Sequence, residues 1–324
     1  VRNPFVHPSA RPQRPDDPLR PQSEAGDLRF YMKLGSQRDQ CLAFRRHYAR
    51  QDAPAKNGHL ILVTGQEKHG KTSLLGWCAA YLRRKGAPRD HHRRHLTVQS
   101  AIDSVLFADL SPFTFDSADD RVRFQKLVQI LQAGGTRLPL DISSTRESED
   151  HYRVLAHYMQ KGLDCHLLIQ LPPMDTMEQI RSHLWNAWPG ITFLAETSPI
   201  LYADLEKNTG GEPKELSTYL YEKVQDTAFS TFMHLHAGPL QDDEFVSYVR
   251  ERLRISNCTV HVDDDLISEF HEHRRDIVGI GHWRSIFREI FDLPNLTALE
   301  REHFNTFSLG GTWPVSAQSK IDAE

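Results

Sequence analysis

Short apolar runs alternate with longer amphipathic stretches over most of this 324-residue sequence. His59-Leu60-Ile61-Leu62-Val63 is nearly continuous in apolar residues. That pattern predicts a strand buried on both faces of a parallel sheet. Four comparable runs follow, at 104–108, 165–169, 191–195 and 231–235. Helical periodicity fills the intervals, at 71–84, 118–133, 148–161, 176–187 and 214–227. An earlier helix is predicted at 36–50, where Cys41, Leu42, Phe44 and Tyr48 share one side. Strands alternating with helices imply a parallel sheet covered on both faces.

After Pro239 the strand pattern stops. Helices are predicted near 242–254, 263–274 and 283–292, with Phe245, Val249 and Leu253 at helical spacing, and Ile286, Phe287 and Ile290 likewise. The expected organisation is an α/β three-layer parallel-sheet sandwich over 28–239 and an all-helical domain over 240–310. Residues 1–27 carry Pro4, Pro8, Pro12, Pro15, Pro18 and Pro21. They are expected to form an extended, disordered arm, either solvated or wrapped on the core or a neighbouring subunit. Residues 311–324 are expected to be a flexible tail.

Composition narrows this picture modestly. Hydrophobic residues make up 39%, enough for a sizeable core, and the formal net charge of −4 gives no global attraction to nucleic acid. Cys41, Cys78, Cys165 and Cys258 are scattered, without metal-ligand spacing. No apolar run approaches the roughly 18 residues that would span a membrane, and no apolar signal core opens the sequence. The expectation is a soluble, cytoplasmic protein without membrane contact.

The chemistry concentrates after the first predicted strand. Gly65-Gln66-Glu67-Lys68-His69-Gly70-Lys71-Thr72 fits G-x-x-x-x-G-K-[ST], the P-loop or Walker A pattern, and Ser73 continues it into the helix. The glycines permit a tight turn whose N–H groups converge on phosphate oxygens. The helix N-terminus adds its positive dipole end. Lys71 is expected to reach the β and γ phosphates, and the Thr72 hydroxyl to ligate Mg²⁺. ATP with Mg²⁺ is the expected cofactor, since no guanine-specifying Asn-Lys-x-Asp run is present. Inside the loop, Lys68 and His69 are expected to face solvent or phosphate. Glu67 repels phosphate and is expected to point away.

The order of these elements resembles the AAA+ family and its STAND relatives, over about residues 28–292. Leu34-Gly35-Ser36-Gln37-Arg38 resembles the motif that precedes the P-loop in origin-recognition-type members and packs near adenine. The resemblance makes the helical domain a lid. It implies that Thr197 is a sensor 1 residue facing the γ-phosphate or the attacking water. Gly281-His282-Trp283-Arg284 resembles sensor 2, with Arg284 reaching the γ-phosphate from the lid.

Two departures from that pattern stand out. Where the family ends its third strand in Asp and Glu, this sequence has Gln170 and Leu171. Gln170 can bond a water on Mg²⁺ but cannot act as a general base. ATP hydrolysis is therefore expected to be slow or absent unless another carboxylate reaches in, and Asp109, Asp175 and Glu196 are the candidates. No arginine lies in 199–230, where ring-forming members place a finger for their neighbour; Lys207, Lys214 and Lys223 are the cations there. Ring assembly is disfavoured, with Arg250 or Arg252 as remaining substitutes.

Three functional readings follow. The first is a nucleotide-dependent switch coupled to a protein partner. The second is an active ATPase working on nucleic acid, contacted through the basic block 83–95 (Arg83-Arg84-Lys85 to Arg93-Arg94-His95). The third is a P-loop kinase using Asp109.

Overall fold

The structure is a computed structural model. It describes residues 3–6, 17–22, 27–34, 36–50, 58–85, 105–113, 120–139, 142, 148–224, 230–240, 242–273, 279–294, 296–300 and 303. Five strands, β1 (Gly58–Thr64), β2 (Val105–Asp109), β3 (His166–Gln170), β4 (Ile191–Glu196) and β5 (Ser230–His236), form one sheet in the order β2-β3-β4-β1-β5. Every pairing is parallel. The helices in chain order are α1 (Ser36–Arg50), α2 (Lys71–Lys85), α3 (Asp120–Ala133), α4 (Ser148–Lys161), α5 (Met177–Trp185), α6 (Pro199–Thr209), α7 (Pro213–Val224), α8 (Asp242–Ile255), α9 (Asp264–His273) and α10 (Ile280–Phe291).

The apolar runs form strands because both faces of the sheet are covered. Along β1, Ile61 and Val63 pack with Cys41, Phe44 and Tyr48 of α1 and Leu74, Leu75 and Cys78 of α2. Leu60 and Leu62 face the other way, against a core that includes residues of α3 to α7. Alternating side chains of one strand thus enter two separate cores, as the pleat requires. The expected α/β three-layer parallel sandwich is the architecture of this region.

Helix α6 is absent from the sequence expectation. Its signals are local: Ser198 caps it by accepting from the Leu201 N–H, Pro199 occupies its first turn, and Gly210 ends it in the left-handed region. The capping box of Thr176 and Gln179 opens α5 in the same way.

Helices α8, α9 and α10 enclose a third core of Phe245, Val249, Ile267, Phe270, Trp283, Phe287 and Ile290. Phe5 belongs to this core. It is fully buried, with its ring 5.0 Å from that of Phe287. Asn3 beside it donates to the Arg288 carbonyl at 2.7 Å. Further along, Gln22 is buried on the sheet domain and donates to the Gln170 side chain at 3.3 Å. The described parts of the N-terminal segment are therefore packed, at 3–6 on the helical domain and at 17–22 on the sheet domain. A disordered, solvated arm is corrected for these residues, because Phe5 and Leu19 bury apolar surface that compensates for ordering the chain. Residues 311–324 and most of the basic block, 86–95, lie outside the described residues.

Candidate nucleotide site

The chain leaves the C-terminal end of β1 directly into the loop at 65–70 and then α2. Open α/β sheets place their binding crevices at the carboxyl ends of the strands. Gly65 has φ 144° and Gly70 φ 86°. A Cβ on Gly65 would stand 2.3 Å from the Ala237 carbonyl oxygen, which follows β5. Glycine is required there both for the turn and for the close approach. Lys68 also adopts a left-handed conformation, φ 63°.

A cavity of about 480 Å³ opens beside this loop. That volume falls within the range of sites for nucleotide-sized ligands, about 300–1,000 Å³. Four parts of the chain supply most of its walls. The loop and α2 supply Glu67, Lys68, Gly70, Lys71, Thr72 and Ser73; the end of β4 supplies Glu196 and Thr197. The helical domain supplies Tyr248, Arg252, Ile280, Gly281 and Arg284, and the N-terminal region Pro18, Leu19, Phe30, Tyr31, Met32 and Gln37.

Lys71 is 8% exposed and its ammonium donates to the carbonyls of Gly65, at 2.7 Å, and Gln66, at 2.9 Å. Burial pushes its pKa down, opposed by Glu196 and Glu67. The Thr72 hydroxyl donates to Glu196 Oε2 at 2.9 Å. Parallel pairing of β1 with β4 puts Glu196 opposite Val63, so this contact follows from the sheet register. Burial raises the Glu196 pKa; Thr72 and Lys71 pull it back. Thr197 is 1% exposed, and its hydroxyl has no hydrogen-bond partner among the described residues. A hydroxyl buried this way is costly unless a ligand completes it.

The helical domain touches the loop directly. The Gly281 N–H donates to the Lys68 carbonyl at 2.9 Å. Gln37 braces the loop from α1, donating to the His69 carbonyl at 3.0 Å and accepting from the Tyr31 hydroxyl at 3.2 Å.

Several sequence expectations are corrected by this geometry. His69 is 4% exposed and turned onto the Ala237 carbonyl, 3.2 Å away, rather than facing solvent or phosphate. Glu67 is exposed but lines the cavity. Gln66 is exposed and donates to Glu206 at 3.4 Å. Asp109 Oδ1 accepts from the Ser111 N–H at 2.9 Å and hydroxyl at 2.6 Å, so it shapes the turn after β2. Asp175 is exposed and lines a different, smaller hollow. Of the three candidate carboxylates, only Glu196 lies in the cavity with Lys71 and Thr72. Gln170 is buried with its side-chain oxygen accepting from Gln22. Arg250 is exposed and bonds Asp264 at 2.6 Å, whereas Arg252 is buried within its own chain.

Sequence reasoning missed Glu196 as the partner of Thr72, and Phe30, Tyr31 and Tyr248 as cavity walls. It also missed Arg252 as a wall of its own cavity. Arg252 had a legible signal. It falls seven residues after Phe245, on the apolar stripe of α8, where a charged residue is out of place on core grounds.

Hard oxygen donors suit Mg²⁺, which binds through one or two protein oxygens, substrate phosphates and water. The Thr72 hydroxyl and Glu196 carboxylate, side by side on the cavity wall, fit that requirement. No cluster of three or more His, Cys, Asp or Glu with metal-binding geometry occurs among the described residues. No helix of the described residues is long and apolar enough to cross a membrane.

The sequence matches no family model and no curated protein. Solved structures similar to this chain include the Aeropyrum pernix ORC2 protein in its ADPNP-ADP complexes. It shows 14% identity and a TM-score of 0.46, over 89% of this chain and 64% of that one. The ADP form of the same protein gives 14% and 0.46, over 81% and 65%. C. elegans PCH-2 gives 10% and 0.31, over 81% and 60%. The chain spans less than two thirds of the length of each. These likenesses are too loose to carry chemistry, which rests on the residues of the cavity itself.

Proposed function

We propose that the chain binds ATP with Mg²⁺ in the cavity beside the 65–72 loop and acts as a nucleotide-dependent switch coupled to a protein partner. The observation that carries the reading is the convergence of Lys71, Thr72, Glu196 and the orphaned Thr197 hydroxyl on one wall, with the helical domain closing the other. Thr72, with Glu196 beside it, would hold Mg²⁺; Gln170 is bonded to Gln22 and is not among the residues lining the cavity. The bound ion supplies charge neutralisation for the phosphates. Lys71 exchanges its two backbone carbonyls for phosphate oxygens, and the α2 N-terminus adds its dipole.

The contact between Gly281 and Lys68 supports the switch reading. A ligand moves a two-state protein only by binding one state better. Thr197 and Arg284 face the cavity from the sheet and from the lid, so a γ-phosphate between them favours the closed arrangement. Glu196 is the carboxylate available to orient water, but its bond to Thr72 commits it to the metal side, which favours slow turnover. Hydrogen exchange in α10 tests the switch. Stronger protection with non-hydrolysable ATP than with ADP is expected; equal protection removes the switch while leaving nucleotide binding intact.

A further inference from the structure

Arg252 projects from α8 into the same cavity and is 2% exposed. Its Nε and Nη2 have no hydrogen-bond partner among the described residues. A guanidinium stays charged and carries five donors, so burying it with two nitrogens unpaired is expensive. Among the described residues, no anion is in contact with it. The Phe30 ring lies 4.9 Å from its guanidinium carbon and the Phe5 ring 6.0 Å. Both rings come from the N-terminal region. Such faces attract a cation but leave its in-plane N–H groups open. Burial lowers its pKa; Tyr248 and Asp27 oppose this and Arg284 adds to it. Asp27 itself accepts from the Arg20 N–H at 2.8 Å.

We propose that Arg252 is a second phosphate-reading arginine: its guanidinium fork bonds the terminal phosphate of the bound triphosphate, and Phe5 and Phe30 hold it in position. This rests on the reading of the cavity as an ATP site. Planar bidentate donation to phosphate is what arginine does best and lysine does poorly. The loop and Lys71 surround their phosphates from the sheet side. Arg252 enters from the helical domain, so its bond forms only when that domain is closed over a triphosphate. The packed N-terminal segment thereby becomes part of the nucleotide reader, because it supplies the rings that orient the fork.

The test compares ATP and ADP affinity by calorimetry in the full chain, for wild type, Arg252→Met and Arg252→Lys. Arg252→Met keeps most of the buried stem. It is expected to weaken ATP about tenfold or more and ADP by no more than about twofold. Arg252→Lys keeps the charge but not the fork and should also lose most of the preference for ATP. If Arg252→Met fails to fold, as judged by circular dichroism, the Lys variant decides alone. Equal losses for both nucleotides would make Arg252 a packing residue and overturn the proposal. So would unchanged affinities, or a wild type that binds both nucleotides equally. A wild type that binds neither nucleotide would instead remove the ATP site itself.

Discussion

The Thr72 hydroxyl donates a 2.9 Å hydrogen bond to Glu196, joining the start of α2, just after the glycine-rich loop, to the end of the neighbouring strand β4. The pair sets an acidic oxygen beside the residue expected to hold Mg²⁺, although the third strand ends in Gln170 and Leu171. Glu196→Gln preserves shape and a possible bond to Thr72 while removing the charge. Binding of Mg²⁺-ATP is expected to weaken about tenfold, as for loss of a charge-assisted contact, with metal-free ATP binding little changed. Fluorescence titration with and without Mg²⁺ measures both. Asp109→Ala and Asp175→Ala, outside the cavity, should leave the metal dependence alone.

Much of this was legible from sequence, and the exceptions share a cause. The strands were readable because their apolar runs are buried, wholly in β1 and β3 and in part at the edge strand β2. The glycine-rich loop was readable because its pattern lies in consecutive residues, with glycines where the backbone takes positive φ. Glu196 could be picked out as a candidate acid, but its contact with Thr72 depends on the β1–β4 register, across 124 residues of chain. Whether the arm holding Phe5 is solvated or wrapped on the core could not be read, because its partners, Phe287 and Phe291, lie near the other end of the sequence. Arg252 stood in plain view on an apolar stripe, yet only the fold shows that the stripe there borders a cavity.

Phe5→Ala is expected to destabilise the helical domain by about 3 kcal/mol, typical for deleting a fully buried Phe ring. The sheet domain keeps its own cores. Chemical denaturation followed by tryptophan fluorescence should show earlier exposure of Trp283, which is buried in the same cluster as Phe5. A shift under about 0.5 kcal/mol would mean that Phe5 does not anchor the N-terminal segment.

Gly65→Ala is expected to cost a few kcal/mol, from backbone strain at φ 144° and from a Cβ 2.3 Å from the Ala237 oxygen. Thermal unfolding should report a lower midpoint and nucleotide titration a loss of binding. A variant as stable as wild type would contradict the close approach between the loop and β5.

Four histidines are buried in the sheet: His59, His166, His234 and His236. Burial, as the leading cause, lowers their pKa values to about 4, 3, 3 and 4. His234 and His236 both bond the Thr64 hydroxyl, at 2.8 and 3.1 Å, at the root of the 65–70 loop. Their folded pKa values lie below the unfolded value near 6.5. The unfolded chain therefore takes up protons first as pH falls. Stability contributed by keeping these rings neutral is full above about pH 6.5 and declines as pH drops, toward about 4 for His59 and His236 and toward about 3 for His166 and His234. Each histidine contributes a slope on the order of 1 kcal/mol per pH unit within that window. Urea unfolding at pH 7, 6 and 5 should show the decline, before most carboxylates titrate. Constant stability from pH 7 to 5 would contradict neutral burial of these rings.

The most direct test of the central claim is an equilibrium titration of the full chain with ATP in the presence of Mg²⁺, beside Lys71→Ala. The Lys71 ammonium stands on the loop carbonyls where the phosphates are expected to arrive. Saturable binding at or below millimolar ATP is expected, weakened about tenfold or more in the variant. Absence of binding to the wild type at millimolar ATP, or equal binding by Lys71→Ala, would contradict it.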